Sequence, residues 1–531
     1  MESSSACDPK NTVVGENPES QSTDKSSETN PIPGLYEDGT LDPIYQEKTK
    51  ILNRAIEEIG MGRYQYLLFV VAGFGYFADS VWTLATSLIL APVVAEFHFN
   101  APFLTLAANI GFLVGAVTWG LASDIWGRRW PFNATLFIAG VFGLAAGGSQ
   151  NLVTLASLIA VLGIGVGASP SELGNLPVDS AIFLDFLPAS HQYLLAVVAV
   201  FWSFGQFFIS LVAWPLIAKF SCPITATTCY KSENMGWRYL LFTLGGLTVL
   251  LWIIRLAASN LSESPRFLIG VGKDDEAVAV IHKIAAYNSK TTSLTLDELT
   301  RVGNISADTK GPDKKSRGIM SQTSAFTTKH VKALFSTRKM AYSTSLLIVL
   351  WCIVGLATTL YDSFLPFLLA SRGARFGDAS LFITYRNQMI LSFLGMPAAF
   401  CAGWAVEITW IGRRGTIAIS SGLTGAFLFA STTARSSNAL LGWNCGYVFN
   451  SSIMYGVLHT ISFEIFPAKD RGTGNGLVWT ATRISGVIAP IIALYANIMT
   501  TAPVYIAGGL VISAGCLALL LPYETRGKAS M

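Results

Sequence analysis

Twelve apolar stretches run through this chain, and they constrain its fold more than any other feature. Each is long enough, or nearly so, to cross the roughly 30 Å hydrocarbon core of a membrane. We predict helical spans at residues 66–90, 102–122, 131–149, 152–183, 192–218, 238–258, 341–369, 381–402, 414–433, 439–463, 474–497 and 502–521. The sequence therefore predicts an all-α, polytopic membrane protein with twelve transmembrane helices.

Composition supports the same class and excludes others. Of 531 residues, 51% are hydrophobic and 13% are charged, whereas soluble domains carry about 25% charged residues. The formal net charge of +3 is too small to indicate a nucleic-acid partner. No P-loop, CxxC metal spacing or catalytic constellation is present, so we predict no nucleotide, metal, cofactor or enzymatic activity.

A polar stretch between the sixth and seventh spans divides the chain into two six-helix halves. It contains an amphipathic segment at 274–287 and a Lys/Ser/Thr-rich linker, and a short helix is expected at 45–58. The expected organisation is a disordered tail at 1–60, a first half at 61–258, a central loop at 259–340, a second half at 341–522 and a tail at 523–531.

Positive charges predict the orientation in the membrane. The loops after the second, eighth and tenth spans and the central stretch are rich in Lys and Arg, whereas the loops after the first, third and eleventh spans have none. Because cytoplasmic loops carry the excess of positive charge, both termini and the central loop are expected to be cytoplasmic. A plasma-membrane location is favoured, with an internal membrane as the alternative.

An internal repeat follows the second and eighth spans. Residues 120–129 read GLASDIWGRR and residues 403–414 read GWAVEITWIGRR. The acid can accept N–H groups at a neighbouring helix start and the arginines can bridge to another helix, so we predict contacts that lock the cytoplasmic side. The predicted gating residues of the repeat are Gly120, Asp124, Gly127, Arg128, Arg129, Glu407, Arg413 and Arg414.

This repeat resembles the signature of the major facilitator superfamily. The SESPR segment at 262–266, the EIFP…RGTG segments at 464–474 and the PYETRG segment at 522–527 are similar to sugar-porter elements. The NLPVD and DFLP segments at 175–188 look like the branch of synaptic-vesicle-2-related proteins and metabolite:proton symporters. The resemblance covers residues 55–527 and implies alternating access between two halves, with further gating residues Glu263, Arg266, Glu464 and Arg471.

The chain departs from the sugar porters in its seventh span. Residues 350–355 read LWCIVG, without the paired glutamines that sugar porters carry. The basic residue of that family in the fourth span is also missing. The missing glutamines place sugar transport in doubt, and the missing basic residue places a proton or gating role of the fourth span in doubt.

Charged residues inside the predicted spans are candidates for the transport site, because a charge in the membrane usually lines a pathway or pairs with another charge. Asp79 is a candidate proton carrier or a fixed partner of an arginine. Arg483 is a candidate to bind a substrate carboxylate or to act as counter-ion to Asp79 or Asp362. Asp362 is a proton-coupling and outer-gate candidate or an exposed helix end, and Arg386 is a substrate contact or an interfacial side chain.

Uncharged residues complete the predicted site. His459 is a proton-coupling candidate or a satisfied core residue. Gln206, Trp202 and Trp351 line a polar and aromatic cavity or pack in the core. Cys222 and Cys229 share a short loop and are expected to form a disulfide if that loop is extracellular, and otherwise to be free thiols.

The intramembrane arginines and the missing glutamines favour proton-coupled transport of a small organic acid or other carboxylate over a neutral sugar. The expected partners are a small-molecule substrate, protons and the lipid bilayer. Two alternatives stay open: efflux of a drug or toxic metabolite on the same fold, and a nutrient receptor that no longer transports.

Overall fold

The computed structural model describes most of the chain from Pro43 onward. The described residues are 43–126, 129–167, 183, 185–188, 191, 194, 198, 200–222, 229–258, 262–307, 331–332, 334–377, 380–407, 411–466, 471–496 and 500–522. Residues 1–42 of the predicted N-terminal tail, the linker at 308–330 and the C-terminal tail at 523–531 lie outside these residues.

One described helix overlaps each of the twelve predicted spans, although the helix in the fourth span ends at Val166 and residues 168–182 of that span lie outside the described part of the chain. In the first half they are α2 (Arg63–Phe97), α3 (Pro102–Trp126), α4 (Arg129–Gly147), α5 (Leu152–Val166), α6 (Val200–Phe220) and α7 (Gly236–Ala258). In the second half they are α11 (Arg338–Asp362), α13 (Leu381–Glu407), α14 (Gly412–Ser431), α15 (Ser437–Ile465), α16 (Arg471–Ala496) and α17 (Ala502–Ala518).

Length and apolar composition suit these helices to a membrane. Among the described residues, seven helices are long and apolar enough to cross a bilayer, and α5 and α17 are shorter apolar helices. Helices α13, α14 and α15 have 27, 20 and 29 residues. A rise of about 1.5 Å per residue gives each of them a length of roughly 30 Å or more.

The seventh span is not the continuous helix that we predicted over 341–369. Helix α11 ends at Asp362, and a separate helix, α12 (Leu365–Phe376), begins with a proline in its first turn. The cause is Pro366, because a proline ring clashes with the carbonyl group four residues earlier and lacks an N–H group to donate. The residue four positions earlier is Asp362, where α11 ends.

Glycines bring helices α3 and α5 of the first half together. A Cβ atom at Gly111 on α3 would lie 2.1 Å from the backbone oxygen of Ala160 on α5. A Cβ atom at Gly115, one turn later, would lie 2.4 Å from the backbone oxygen of Ile164. Small residues four apart therefore let α3 and α5 touch through their backbones, as is typical of membrane helices.

Four amphipathic helices cover one end of the first half: α1 (Pro43–Ile59), α8 (Pro265–Val271), α9 (Asp274–Tyr287) and α10 (Leu296–Ala307). Helix α9 has the bounds expected of the amphipathic segment, and α1 contains the short helix expected at 45–58. Leu52, Ile56 and Ile59 of α1 are at most 3% exposed, and α1 contacts α8, α9 and α10. We call this end of the molecule the amphipathic end, and the opposite end, where α2 ends and α3 begins, the first-loop end.

Polar contacts fasten α1 to this group of helices. The Glu58 carboxylate accepts hydrogen bonds from the backbone N–H of Ser293 at 3.2 Å and from its hydroxyl at 3.0 Å. The backbone N–H is the main cause that lowers the pKa of Glu58 below its usual value. Lys48 forms an ion pair with Asp274 at the start of α9, where a carboxylate also favours the helix N-terminus.

Candidate functional site

The two halves meet along two equivalent helix pairs. Helix α3 contacts α16, and α6 contacts α13. Helices α3 and α16 are the second and eleventh spans, and helices α6 and α13 are the fifth and eighth spans. Adding six to each span number of the first half gives the corresponding span of the second half, so the two pairs are related by the internal repeat. A substrate site between repeats of this kind lies at such an interface near the middle of the membrane.

The pair α6–α13 is held by a polar contact at its middle and a ring contact nearer the first-loop end. The hydroxyl groups of Ser210 and Ser392 are 2.8 Å apart and buried. The ring of Trp214 lies 5.0 Å from that of Phe382 between centroids. A separate bond joins α13 to α2, because the hydroxyl of Tyr385 donates to the backbone oxygen of Leu88 at 2.6 Å.

Arg483 lies at the middle of the pair α3–α16. Its guanidinium group is 5.1 Å from the centre of the Phe112 ring on α3, within the range of a cation–π interaction. The residue is 6% exposed. One turn along α16, a Cβ atom at Gly486 would lie 3.0 Å from the side-chain oxygen of Asn109. A buried positive charge thus lies directly between the halves.

Asp79 lies halfway along α2 and is fully buried, with 0% exposure. The hydroxyl of Thr83, one turn later, donates to the backbone oxygen of Asp79 at 2.8 Å. Burial of a carboxylate at this depth favours its neutral form unless a charge or a hydrogen bond compensates. The pairing of Asp79 with Arg483 stays a prediction.

His459 lies in an aromatic cluster of the second half. The imidazole is 4.7 Å from the Trp351 ring and 6.5 Å from the Trp479 ring between centroids. The indole N–H of Trp351 donates to the hydroxyl of Ser462 at 2.8 Å, and Trp351 is 0% exposed. Trp351 therefore packs in the core and supports His459 in this conformation. His459 itself is half-buried, with no hydrogen bond to its ring among the described residues.

The other candidates lie on α6 and α13. Trp202 and Gln206 of α6 are half-buried. Arg386 of α13 is also half-buried, and its guanidinium nitrogens donate to the side-chain oxygen of Asn387 at 3.0 and 3.3 Å. A neighbour on the same helix therefore accepts hydrogen bonds from the guanidinium group of Arg386. Arg483, in contrast, contacts the other half of the protein through Phe112.

The SESPR and DFLP segments meet at the amphipathic end. Ser264 and Arg266 both contact the buried carboxylate of Asp185, Ser264 by a short hydrogen bond and Arg266 by an ion pair of 3.6 Å. Arg266 also donates to Asn53 of α1 at 2.9 Å. Glu263 accepts from the backbone N–H of Ser264 at 3.0 Å. These motif residues therefore connect α1, α8 and the segment that precedes α6.

The repeat motif is described in part. Arg414 donates to the backbone oxygen of Leu519 and so joins α14 to the end of α17. Arg413 is 8% exposed. The other predicted gating residues, or their side chains, lie outside the described part of the chain: Gly120, Asp124, Gly127, Arg128, Arg129, Glu407, Glu464 and Arg471.

Two buried arginines of the first half were not among the predicted site residues. Arg238 forms an ion pair of 2.6 Å with Glu96, and both side chains are at most 7% exposed. Arg255 is 0% exposed and donates to the backbone oxygens of Phe132 at 2.6 Å and Val71 at 2.9 Å. Both arginines lie in the sixth span, and their bonds join α7 to α2 and α4. The signal in the sequence was an arginine within the first turn and another in the last turn of that span.

The loop after α6 contains the predicted disulfide. Cys222 and Cys229 form a disulfide, with Cα atoms 6.0 Å apart. No group of three or more His, Cys, Asp or Glu side chains that could hold a metal ion is present among the described residues.

Comparison with known proteins identifies the family. Residues 66–490 match the model of the Major Facilitator Superfamily. The chain therefore belongs to this superfamily and is a multi-pass membrane transporter of a small molecule, not an enzyme.

Three similar proteins illustrate the match. An "MFS siderochrome iron transporter 1" of Ceriporiopsis subvermispora (strain B) is 64% identical over 507 residues, which cover 96% of each chain. The "Major facilitator-type transporter hxnZ" of Emericella nidulans is 37% identical, over 94% of this chain and 90% of the relative. A partially occluded inward-open structure of the xylose transporter XylE from E. coli has a TM-score of 0.61 at 16% identity, over 88% of this chain and 99% of that one.

Proposed function

We propose that this protein is a proton-coupled transporter of a small organic acid or other carboxylate. The observation that carries the proposal is Arg483, a buried guanidinium at the contact between the halves and halfway along its helix. A charge inside a membrane protein costs at least a few kcal/mol, so such a residue is expected where a ligand or a counter-charge uses it. A carboxylate substrate can bind a guanidinium group at this position in a planar, bidentate geometry.

Proton coupling is assigned to Asp79. Its carboxylate is buried halfway along α2, and burial raises proton affinity while a nearby positive charge lowers it. Rocking one half against the other would change that balance and alternate the affinity for a proton. The proposed orientation places both termini and the central loop in the cytoplasm of a plasma-membrane protein, with the five segments expected from the sequence.

The described contacts between the halves support a conformation that is closed at one side. The bonds of Ser210 with Ser392 and of Tyr385 with Leu88 lie between the middle and the first-loop end. In the proposed orientation the first-loop end is extracellular. Transport would then require these contacts to break and the equivalent contacts at the amphipathic end to form.

The proposal is tested with purified protein in liposomes. An imposed pH gradient should drive accumulation of a radiolabelled carboxylate chosen from benzoate, lactate and succinate by its effect on the melting temperature. Arg483→Gln should abolish accumulation, whereas the matched control Arg386→Gln should retain most of it. Equal activity of the two variants, or accumulation of none of the probes, would contradict the proposed substrate class. Outward counterflow or binding without flux would instead favour the efflux and receptor alternatives.

A second candidate cargo is a ferric siderochrome. It is favoured by the 64% identity with a relative that carries the name of a siderochrome iron transporter, over 96% of each chain. Uptake of a hydroxamate chelate loaded with radioactive iron separates the two cargoes in the same liposomes. Accumulation of iron together with the chelate, and not of the simple carboxylates, would favour the siderochrome.

A further inference from the structure

The break in the seventh span has a polar side chain at its apex. Helix α11 ends at Asp362 and α12 starts at Leu365, so two residues separate the helices. The side chain of Asp362 is exposed. Its Oδ1 atom accepts a hydrogen bond of 2.7 Å from the hydroxyl of Tyr447 on α15. The break is therefore tied to a neighbouring helix through a carboxylate that water can reach.

Tyr447 is held rigidly for this contact. The residue is 1% exposed, and its ring packs edge-on against Tyr361 at 4.9 Å between centroids. The hydroxyl of Tyr361 donates to the side-chain oxygen of Asn444 at 2.7 Å. Two adjacent residues of α11 thus bond to two positions of α15 that are three residues apart, on one face of that helix.

Helix α12, which follows the break, covers the first half at the first-loop end. It contacts α2, and Leu365, Leu368 and Leu369 are at most 6% exposed. Helix α12 also contacts α11, α13 and α15 of its own half, and its movement away from α2 would uncover the part of α2 that it contacts. The position of α12 depends on the angle between α11 and α12 at the break. The hydrogen bond between Asp362 and Tyr447 holds the last residue of α11 against α15.

We propose that Asp362 and Tyr447 form a proton-sensitive clasp that holds α12 closed over α2, with Asp362 as the proton-binding group and Tyr447 as the residue that positions it. A hydroxyl bonds an ionised carboxylate more strongly than a neutral carboxyl group. Protonation of Asp362 therefore weakens the clasp, and opening at the first-loop end is favoured as pH falls. A role of the clasp in coupling proton movement to transport rests on the proposed function. The opening of the clasp itself needs no substrate and does not rest on it.

Other ionisable groups surround the clasp. Tyr361 on α11 interacts electrostatically with both residues of the pair, and Tyr455 on α15 interacts with Tyr447. Arg372 on α12 interacts with Tyr361. Tyrosine and arginine side chains do not change charge between about pH 4 and about pH 8. A pH response of α12 in that range that is lost in Asp362→Asn is therefore assigned to Asp362.

The test measures the distance between α12 and the first half by pulsed electron paramagnetic resonance. Spin labels are placed at Asn100→Cys, in the loop after α2, and at Ser371→Cys on α12, in full-length protein whose non-disulfide cysteines are replaced by serine. In otherwise unchanged protein, the ratio of long to short distances should rise by up to about twofold from about pH 8 to about pH 4, because an ordinary aspartate carboxyl group is roughly half protonated at about pH 4. This measurement requires neither substrate nor transport, so its outcome is independent of the proposed cargo.

Three isosteric variants separate the clasp from general packing. Asp362→Asn and Tyr447→Phe should both show a raised population of the long distance that no longer responds to pH. Tyr361→Phe loses the neighbouring bond to Asn444 but keeps the carboxylate, so its pH response should persist. A pH-independent ratio in the parent protein, or an undiminished pH response in Asp362→Asn, would overturn the proposal. Unchanged melting temperatures establish that each variant is folded.

Discussion

The contact between α3 and α5 should tolerate no side chain at Gly111. A Cβ atom there would lie 2.1 Å from the backbone oxygen of Ala160, whereas ordinary van der Waals contacts begin at 3.4 Å, a shortfall of 1.3 Å (3.4 minus 2.1). The obstructing atom belongs to a helix backbone, so relief requires the two helices to separate. Overpacking of this kind costs roughly 1–3 kcal/mol. Gly111→Ala is therefore expected to destabilise the protein although alanine is the better helix former.

A matched control is available in α7. A Cβ atom at Gly246 would meet nothing within 4 Å, and replacing a helical glycine by alanine stabilises a helix by roughly 0.5–1 kcal/mol. Both variants gain this helix propensity, so the difference between their unfolding free energies isolates the overpacking term of about 1–3 kcal/mol. Thermal and denaturant unfolding of the two variants in the same detergent measures it. If Gly111→Ala unfolds at the same midpoint as Gly246→Ala, the close backbone contact of α3 and α5 is refuted.

Three further predictions concern an ion pair, a surface carboxylate and the disulfide. Glu96→Gln should lower stability by about 3–5 kcal/mol, because it leaves the buried charge of Arg238 without its ion partner. The double variant with Arg238→Gln should recover part of that loss, and a double-variant unfolding midpoint below that of Glu96→Gln would contradict this account. Because contacts with Ser293 lower the pKa of Glu58, they stabilise the docking of α1 at neutral pH, and this contribution is lost as pH falls through the lowered pKa. Hydrogen exchange of α1 amides, corrected for intrinsic rates, should then rise on acidification in the parent protein but not in Glu58→Gln. Replacing both cysteines of the disulfide with serine should lower the free energy of unfolding by roughly 2–3 kcal/mol, which denaturant unfolding checks.

The membrane spans were predictable because each is a local pattern. Apolar length alone located a helix in each of the twelve predicted spans, but it did not give their ends: α5 ends at Val166, whereas the predicted span continues to residue 183. The periodicity of 274–287 gave the bounds of α9. The break after Asp362 was signalled by Pro366 and was missed because the apolar pattern continues through it. The sequence therefore reports where a helix can exist more directly than where it is interrupted.

The contacts between distant residues were not predictable in the same way. Glu96 and Arg238 are 142 residues apart, and no local pattern indicates that they meet. For Trp351 the sequence left two alternatives open, a cavity lining and core packing, because an aromatic residue in an apolar helix is compatible with both. In the structure its indole is buried and bonded to Ser462. Arg483 was found since a charge inside an apolar span is itself a local anomaly.

The central claim is that Asp79 carries the coupled proton, and one measurement tests it most directly. Liposomes with Asp79→Asn should fail to accumulate labelled carboxylate under an imposed pH gradient but should still exchange internal for external substrate. Exchange needs no net release of a proton, so it is expected to survive when the proton carrier is lost. Accumulation at the rate of the parent protein in Asp79→Asn would contradict the account and would leave Asp362 and His459 as the groups to examine.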